Sequence, residues 1–237
     1  MQQNVLLLDR LDGDSLRHIR FYPWLVMLFM GLFLTANLVA QKVVPVGPLL
    51  FNAGDLVFPF MYLLSLVVTE VYGYAMSRRM IWGALISNLV VVLLVYGSIR
   101  LPAAECWSYQ EAYQDILGRT PRILVASLFS FLIGEFLSTY VFAKVKVRCD
   151  GRYLWFRAIC ATITGQLLDS YLFTTIAFVR VVGIYEIHLM SLGAWLAKLF
   201  CQLICTPLVY RLANFLKRWE GIDVFDRETN FSPFNIG

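Results

Sequence analysis

Six long apolar segments divide the chain and leave few folds open to it. A helix that crosses a bilayer needs about 20 apolar residues, because about 30 Å of hydrocarbon is crossed at 1.5 Å per residue. Backbone exposed to lipid must satisfy its own hydrogen bonds, so segments of this length are expected to be helices. The six predicted spans are 21–41, 56–76, 80–99, 123–143, 154–179 and 189–212.

The composition agrees with a membrane protein. Hydrophobic residues make up 59% of the 237 residues and charged residues only 15%, and the mean hydropathy is +0.67. A soluble domain rarely has so much apolar surface to bury. We therefore predict an all-α integral membrane protein of six transmembrane helices, with a membrane domain at 21–212 between an N-terminal segment, 1–20, and a C-terminal tail, 213–237.

The distribution of Lys and Arg indicates the orientation of the spans, because cytoplasmic loops carry an excess of these residues. One side of the predicted topology holds Arg10, Arg17, Arg20, Arg78, Arg79, Lys144, Lys146, Arg148, Arg152, Arg211, Lys217, Arg218 and Arg227. The other side holds only Lys42, Arg100, Arg119, Arg122 and Arg180. Both termini are therefore expected in the cytoplasm. This asymmetry also accounts for the net charge of +4, so no nucleic-acid partner is expected.

Ionisable residues inside the predicted spans indicate where ligand chemistry lies, since charge is costly inside a bilayer. Counted from the outer end of each span, Lys198, Asp169, Glu135 and Glu70 lie roughly 14 to 21 Å deep at 1.5 Å per residue. This count predicts one polar layer near the midplane. Within it Asp169 and Glu135 are also candidates for ion or proton coupling. The structural alternatives are a static Asp169–Lys198 pair and a satisfied interior acid at Glu135.

Two helical faces are predicted to line a cavity. Gln166, Asp169 and Ser170 share one face of the fifth span, and Trp195 and Lys198 share one face of the sixth. These side chains combine hydrogen-bond donors and acceptors with an aromatic ring. The two faces are expected to oppose each other.

Further candidates lie near the outer ends of the first two spans. Asn37 supplies an amide, and Phe58 and Tyr62 could form stacking walls for a planar ligand. Aromatic side chains more often serve packing alone in membrane helices.

The sequence lacks the motifs of several enzyme classes. It contains neither G-x-x-x-x-G-K-[ST] nor H-E-x-x-H, and its histidines are His18 and His188. This argues against an ATPase or a histidine-ligated metalloenzyme, and we expect no cofactor and no metal. An intramembrane enzyme with Glu135 and Asp169 as acid and base is a weaker alternative, because no nucleophile or metal motif accompanies them.

Several blocks of sequence, in order along the chain, carry a family resemblance. They are ANLVAQK (36–42), FNAGDLVFP (51–59), TEVYGY (69–74), GQLLDS (165–170), KLFCQLICTPLVY (198–210), EGIDVFD (220–226) and NFSPF (230–234). Together they resemble the queuosine precursor transporter family, also called the vitamin uptake transporter family. The resemblance implies a multi-pass importer in the bacterial inner membrane for 7-deazaguanine precursors of queuosine, a modified nucleoside of tRNA.

The resemblance leaves the substrate open among 7-cyano-7-deazaguanine, 7-aminomethyl-7-deazaguanine and queuine. One departure bears on this choice: Leu66 stands where the family is expected to carry an Asp. From the resemblance we form a hypothesis for binding. Asp169 or Glu70 accepts hydrogen bonds from the base, and Gln166 or Asn37 bonds to the remaining polar groups of its edge. An aromatic side chain stacks on the ring.

Two other readings stay open at this stage. The chain could be the substrate-binding subunit of an energy-coupling-factor transporter with separate ATPases, or a non-transporting membrane scaffold. The expected partners are the deazapurine base and the lipid bilayer, with a homodimer or an ATPase module as further candidates.

Overall fold

The computed structural model describes residues 6–8, 19–40, 42–46, 49–118, 121–180, 183–227 and 229–234. Its helices are α1 (Tyr22–Val39), α2 (Phe58–Ile99), α3 (Gln110–Gly118), α4 (Pro121–Arg148), α5 (Leu154–Ala161), α6 (Leu167–Phe178) and α7 (Ile184–Glu220). The strands β1 (Leu6–Leu8) and β4 (Ile222–Val224) pair in parallel. The strands β2 (Val43–Val46) and β3 (Leu49–Asn52) pair antiparallel.

Among the described residues, α1, α2, α4 and α7 are long and apolar enough to cross a membrane. Helix α1 corresponds to the predicted first span, α2 to the second and third, α4 to the fourth and α7 to the sixth. The predicted fifth span corresponds to α5, a π-helical segment (Thr162–Gln166) and α6, which follow one another without a break. The prediction of a helical membrane protein is confirmed.

Helix α2 folds back on itself at Gly73, where φ is +78° and ψ is 177°. The hydroxyl oxygens of Thr69 and Ser77 lie 2.7 Å apart, although eight residues of straight helix would separate them by about 12 Å. The sequence predicted this turn between Met76 and Met80. It occurs earlier because glycine accepts a positive φ without a steric penalty.

The start of α1 and the end of α7 lie on the same side of the molecule. Glu220, at the end of α7, accepts hydrogen bonds from the backbone N–H groups of Arg20 at 2.9 Å and Phe21 at 2.7 Å. A carboxylate there satisfies free N–H groups and complements the dipole at the start of α1. The pairing of β1 with β4 joins the same two ends of the chain.

The C-terminal tail packs over the fold-back of α2. Arg78 donates to the carbonyl oxygens of Asn230 at 2.8 Å and Ser232 at 2.7 Å. The backbone N–H of Tyr74 donates to the Asp226 carboxylate at 2.9 Å. Burial raises the pKa of that carboxyl above its usual range. The tail is therefore an ordered part of this end of the bundle.

An apolar core joins α1, α2 and α4. The rings of Phe33 and Phe131 stack with centroids 4.2 Å apart, and Phe29 packs beside them. Leu66, which is only 3% exposed, belongs to the same core. An Asp at position 66 would bring a carboxyl group into this apolar environment.

Candidate functional site

The centre of the candidate site is an ion pair between α6 and α7. The Nζ of Lys198 lies 2.5 Å from Oδ2 of Asp169, and both side chains are largely buried. The same ammonium lies 5.6 Å from the ring centre of Phe58 and 5.8 Å from that of Tyr62. These two rings are stacked, with centroids 6.0 Å apart. The structure thus brings together four residues that the sequence singled out.

Several buried polar atoms lack a hydrogen-bond partner in the described part of the chain. They lie within about one helical turn of this ion pair or on the facing helix α4. They are Glu135 Oε2, Gln166 Oε1, Ser170 Oγ, Trp195 Nε1 and Gln202 Nε2. A buried polar group without a partner costs about 1–3 kcal/mol, so such a group calls for an explanation. A polar ligand or water in this layer would satisfy both the donors and the acceptors. We refer to the ion pair and these five residues as the midplane layer.

Close packing of α4 against α6 places Glu135 beside the ion pair. A Cβ atom added to Gly134 would lie 2.5 Å from Cβ of Asp169. Glu135 is 2% exposed and interacts electrostatically with both Asp169 and Lys198. Its Oε1 accepts a hydrogen bond from the Ser65 hydroxyl. One carboxylate oxygen is therefore held, and the other is left for a proton or a ligand.

The π-helical segment Thr162–Gln166 shapes the site in a way that the sequence did not reveal. Wide turns of this kind are found frequently at functional sites. Within it, a Cβ atom added to Gly165 would meet the Gly134 carbonyl oxygen and Cβ of Ser138, each at 2.5 Å. The segment therefore touches α4 directly and ends at Gln166, one turn before Asp169. Hydrophobic periodicity does not distinguish a π turn from an α turn.

Glu70 lies in a second cluster of charged residues, not in the midplane layer. Its carboxylate is 2.5 Å from Arg157 NH1, 2.6 Å from Lys217 Nζ and 3.8 Å from Lys146 Nζ. Asp223 binds Lys146 at 2.6 Å and Lys217 at 2.7 Å. We call these five residues the Glu70 cluster. It joins α2, α4, α5, α7 and β4.

The depth count that put Glu70 in the same layer as Asp169 does not match these contacts. Glu70 follows Ser65, the partner of Glu135, by five residues, or about 7.5 Å along the helix. At that depth it meets lysines from the extended ends of α4 and α7. The sequence indicates only topology signals at Lys146 and Lys217 and predicts no role for Arg157.

Asn37 is used in contacts between helices. Its side-chain amide donates to the carbonyl oxygen of Phe33 at 3.1 Å and to Asn88 Oδ1 at 3.3 Å. Its own Oδ1 accepts a hydrogen bond from Ser127 at 2.9 Å. These bonds tie α1 to α2 and α4, and they occupy the polar atoms that the sequence had assigned to a ligand.

Comparison with known proteins identifies the family. The family model described as vitamin uptake transporter matches residues 52–212, which include the ion pair, Glu135 and Glu70. The chain belongs to the vitamin uptake transporter family. The resemblance noted in the sequence blocks is confirmed.

Curated relatives of this family member include a "Probable queuosine precursor transporter" of Bacillus subtilis, 28% identical over 81% of this chain and 87% of the relative. The "Queuosine precursor transporter" of Escherichia coli is 24% identical over 66% of this chain and 68% of the relative. No solved structure matches the chain.

Membership makes the protein a membrane transporter and not an enzyme. Glu135 and Asp169 are therefore not a catalytic acid and base. Among the described residues, no group of three or more His, Cys, Asp or Glu side chains could hold a metal ion.

Proposed function

We propose that this protein imports a 7-deazaguanine precursor of queuosine across the bacterial inner membrane. The names of the relatives support the substrate class. The observation that carries the proposal is the midplane layer, in which a buried ion pair is accompanied by polar atoms without partners. Such a layer needs a polar occupant of limited size.

The chemistry of a guanine-like base matches the midplane layer. Its amino and ring N–H groups can donate to Asp169, and its carbonyl oxygen can accept from Lys198 or from the Trp195 indole. Gln166 and Ser170 supply further polar atoms at the same depth. The base thus adds hydrogen-bond partners for several of the buried polar groups around the ion pair.

The stacked rings of Phe58 and Tyr62 give the site an aromatic wall beside Lys198. A planar heterocycle can stack on such a wall, gaining about 0.5–1.5 kcal/mol beyond the area it buries. We assign binding to Asp169, Lys198 and their polar neighbours. Glu70 and Asn37, whose polar atoms are already bonded, are assigned to the scaffold.

We further propose six crossings with both termini in the cytoplasm. Two observations support an even number: Glu220 caps the start of α1 from the end of α7, and α2 folds back at Gly73. The excess of Lys and Arg favours a cytoplasmic location for the side of the protein on which α1 begins and α7 ends. Reporter fusions at both termini and after residue 110 test this topology.

Glu135 is proposed to couple uptake to protons. It is buried beside the ion pair, and one of its oxygens has no partner among the described residues. Protonation would neutralise it while the base binds. Direct uptake with and without an imposed proton gradient distinguishes coupling from facilitated diffusion.

The experiment that tests the function uses a bacterial strain unable to make queuosine precursors. Each of the three candidates is supplied in turn, with and without this gene, and queuosine in tRNA is measured. Recovery with one compound that depends on the gene supports import and names the substrate. No recovery with any of them, despite confirmed membrane expression, contradicts the proposal. Copurification with an ATPase module would then favour the energy-coupling-factor reading, and absence of any saturable binding would favour a scaffold.

A further inference from the structure

We propose that a cavity between α2, α4 and the C-terminal tail binds an anionic phospholipid of the cytoplasmic leaflet. The cavity has a volume of about 400 Å³, and its walls include Tyr74, Trp82, Leu137, Tyr140 and Phe231. None of its described lining residues belongs to the midplane layer, so it is a separate site. The assignment to the cytoplasmic leaflet rests on the orientation proposed above.

The polar ends of two wall residues are occupied by the tail. The indole N–H of Trp82 donates to the carbonyl oxygen of Pro233 at 2.8 Å. The hydroxyl of Tyr74 donates to the carbonyl oxygen of Phe231 at 3.2 Å. These rings therefore present carbon faces to the cavity. A polar base would lose its hydrogen bonds there, whereas an acyl chain would only exchange one apolar environment for another.

The cavity opens toward the side of the protein that meets lipid. Ile133 and Tyr140 of α4 line it and are 41% and 38% exposed, and Phe234 at its edge is 77% exposed. On a helix that crosses a membrane, such exposed apolar side chains contact acyl chains. The Trp and Tyr rings in the wall are the residue types enriched at the membrane–water interface. A lipid chain can thus enter from the bilayer.

Two cations flank the aromatic walls. The Nζ of Lys144 lies 4.2 Å from the ring centre of Phe231 and 5.9 Å from that of Tyr140. The guanidinium of Arg78 lies 5.6 Å from the ring centre of Tyr74, but it is 2% exposed and donates to carbonyl oxygens of the tail, so it supports the wall and does not face a headgroup. Within the described ranges neither cation has a carboxylate at ion-pair distance. The positive charge of Lys144 beside an apolar slot suits a phosphate headgroup with its acyl chain.

Native mass spectrometry of the purified, delipidated full-length protein tests this site. The protein is titrated with phosphatidylglycerol or with phosphatidylcholine of the same acyl chains. We expect about fivefold stronger retention of phosphatidylglycerol, because one lysine near a headgroup contributes about 1 kcal/mol. Lys144→Ala should reduce retention to the phosphatidylcholine level. Arg152→Ala, which removes an exposed charge from the neighbouring loop, should leave the preference intact.

A second variant tests the slot itself. Leu137→Trp fills the cavity and should lower retention of both lipids, while the Lys144→Ala comparison stands even if this variant folds poorly. Equal retention of the two lipids by the wild-type protein would overturn the proposal. Equal effects of Lys144→Ala and Arg152→Ala would also overturn it. A dimer that retains no lipid would assign the groove to a second copy of the chain instead.

Discussion

The two buried groups of charged residues differ in how completely their polar atoms are paired. In the Glu70 cluster three cations surround two carboxylates, and Lys146 also donates to backbone carbonyl oxygens of Glu70 and Val224. In the midplane layer a single ion pair stands among buried atoms without partners. In the Glu70 cluster every charged group is paired, although Arg157 Nε has no partner among the described residues, so the cluster holds the helices together. The midplane layer keeps several unpaired donors and acceptors that a ligand could satisfy. The difference predicts opposite consequences when a carboxylate is removed from each.

The largest effect should follow Glu70→Gln. The substitution leaves Lys146, Arg157 and Lys217 with Asp223 as the only carboxylate of the cluster. Breaking a buried ion pair by removing one partner costs about 3–5 kcal/mol. We expect little folded protein in the membrane, measured by fluorescence-detected gel filtration. The control Glu105→Gln, in an exposed loop, should express normally. Wild-type levels of Glu70→Gln would show that the cluster does not stabilise the packing of the helices.

Asp169→Asn should abolish uptake while membrane insertion and protein level stay intact. The protein should tolerate the change because the side chains of this pair keep 11% and 13% exposure and the Lys198 ammonium, unlike the cations around Glu70, lies beside polar atoms that can accept its hydrogen bonds. A hydrogen bond to a charged group is worth about 1.5–3 kcal/mol, so the loss of affinity is expected to be at least about tenfold. Uptake of labelled precursor and the amount of membrane protein are measured together. Asp150→Asn makes the same chemical change at an exposed position and serves as the control. Normal uptake by Asp169→Asn would remove this residue from the site.

Glu135→Gln should separate coupling from binding. Without a titratable group at this position, an imposed proton gradient should no longer increase uptake, while ligand exchange continues without a gradient. Proteoliposomes with a set internal pH measure both properties. Glu186→Gln, at an exposed position of α7, should keep the gradient response. A Glu135→Gln variant that still responds would assign coupling to another group.

The smallest effect is expected from Trp195→Phe. This change keeps an aromatic ring but removes the buried indole N–H that has no partner among the described residues. A neutral hydrogen bond contributes about 0.5–1.5 kcal/mol, so the KM for uptake should rise about two- to twelvefold. Trp155→Phe, at an exposed tryptophan, should not change KM. An unchanged KM in Trp195→Phe would place that N–H outside the ligand's reach.

The sequence predicted the helical segments well because hydrophobic length determines where a chain can cross a bilayer. It misplaced the turn in α2, since the conformation of Gly73 depends on how the two halves pack. It also placed Glu70 at the midplane. The lysines that pair with Glu70 lie beyond the apolar stretches, on helix ends that continue to Arg148 and Glu220.

The pairing of Asp169 with Lys198 followed from the sequence because the two charges lie at similar depth on facing helical faces. The partners of Asn37 and the π-helical turn before Asp169 did not. The Asn37 contacts and the π-helical turn both depend on distances between helices. The hydrophobic pattern of a single helix does not predict those distances. Sequence reasoning therefore identified the central pair and missed the surrounding framework.

Ligand-induced thermal stabilisation of the purified full-length protein tests the central claim most directly. Wild type and the double variant Asp169→Asn/Lys198→Gln are heated with each of the three candidate 7-deazaguanines. Because the double variant removes both charges together, it avoids leaving one of them unpaired. We expect one compound to raise the Tm of the wild type and to leave that of the double variant unchanged. Equal stabilisation of both proteins would show that the base binds elsewhere.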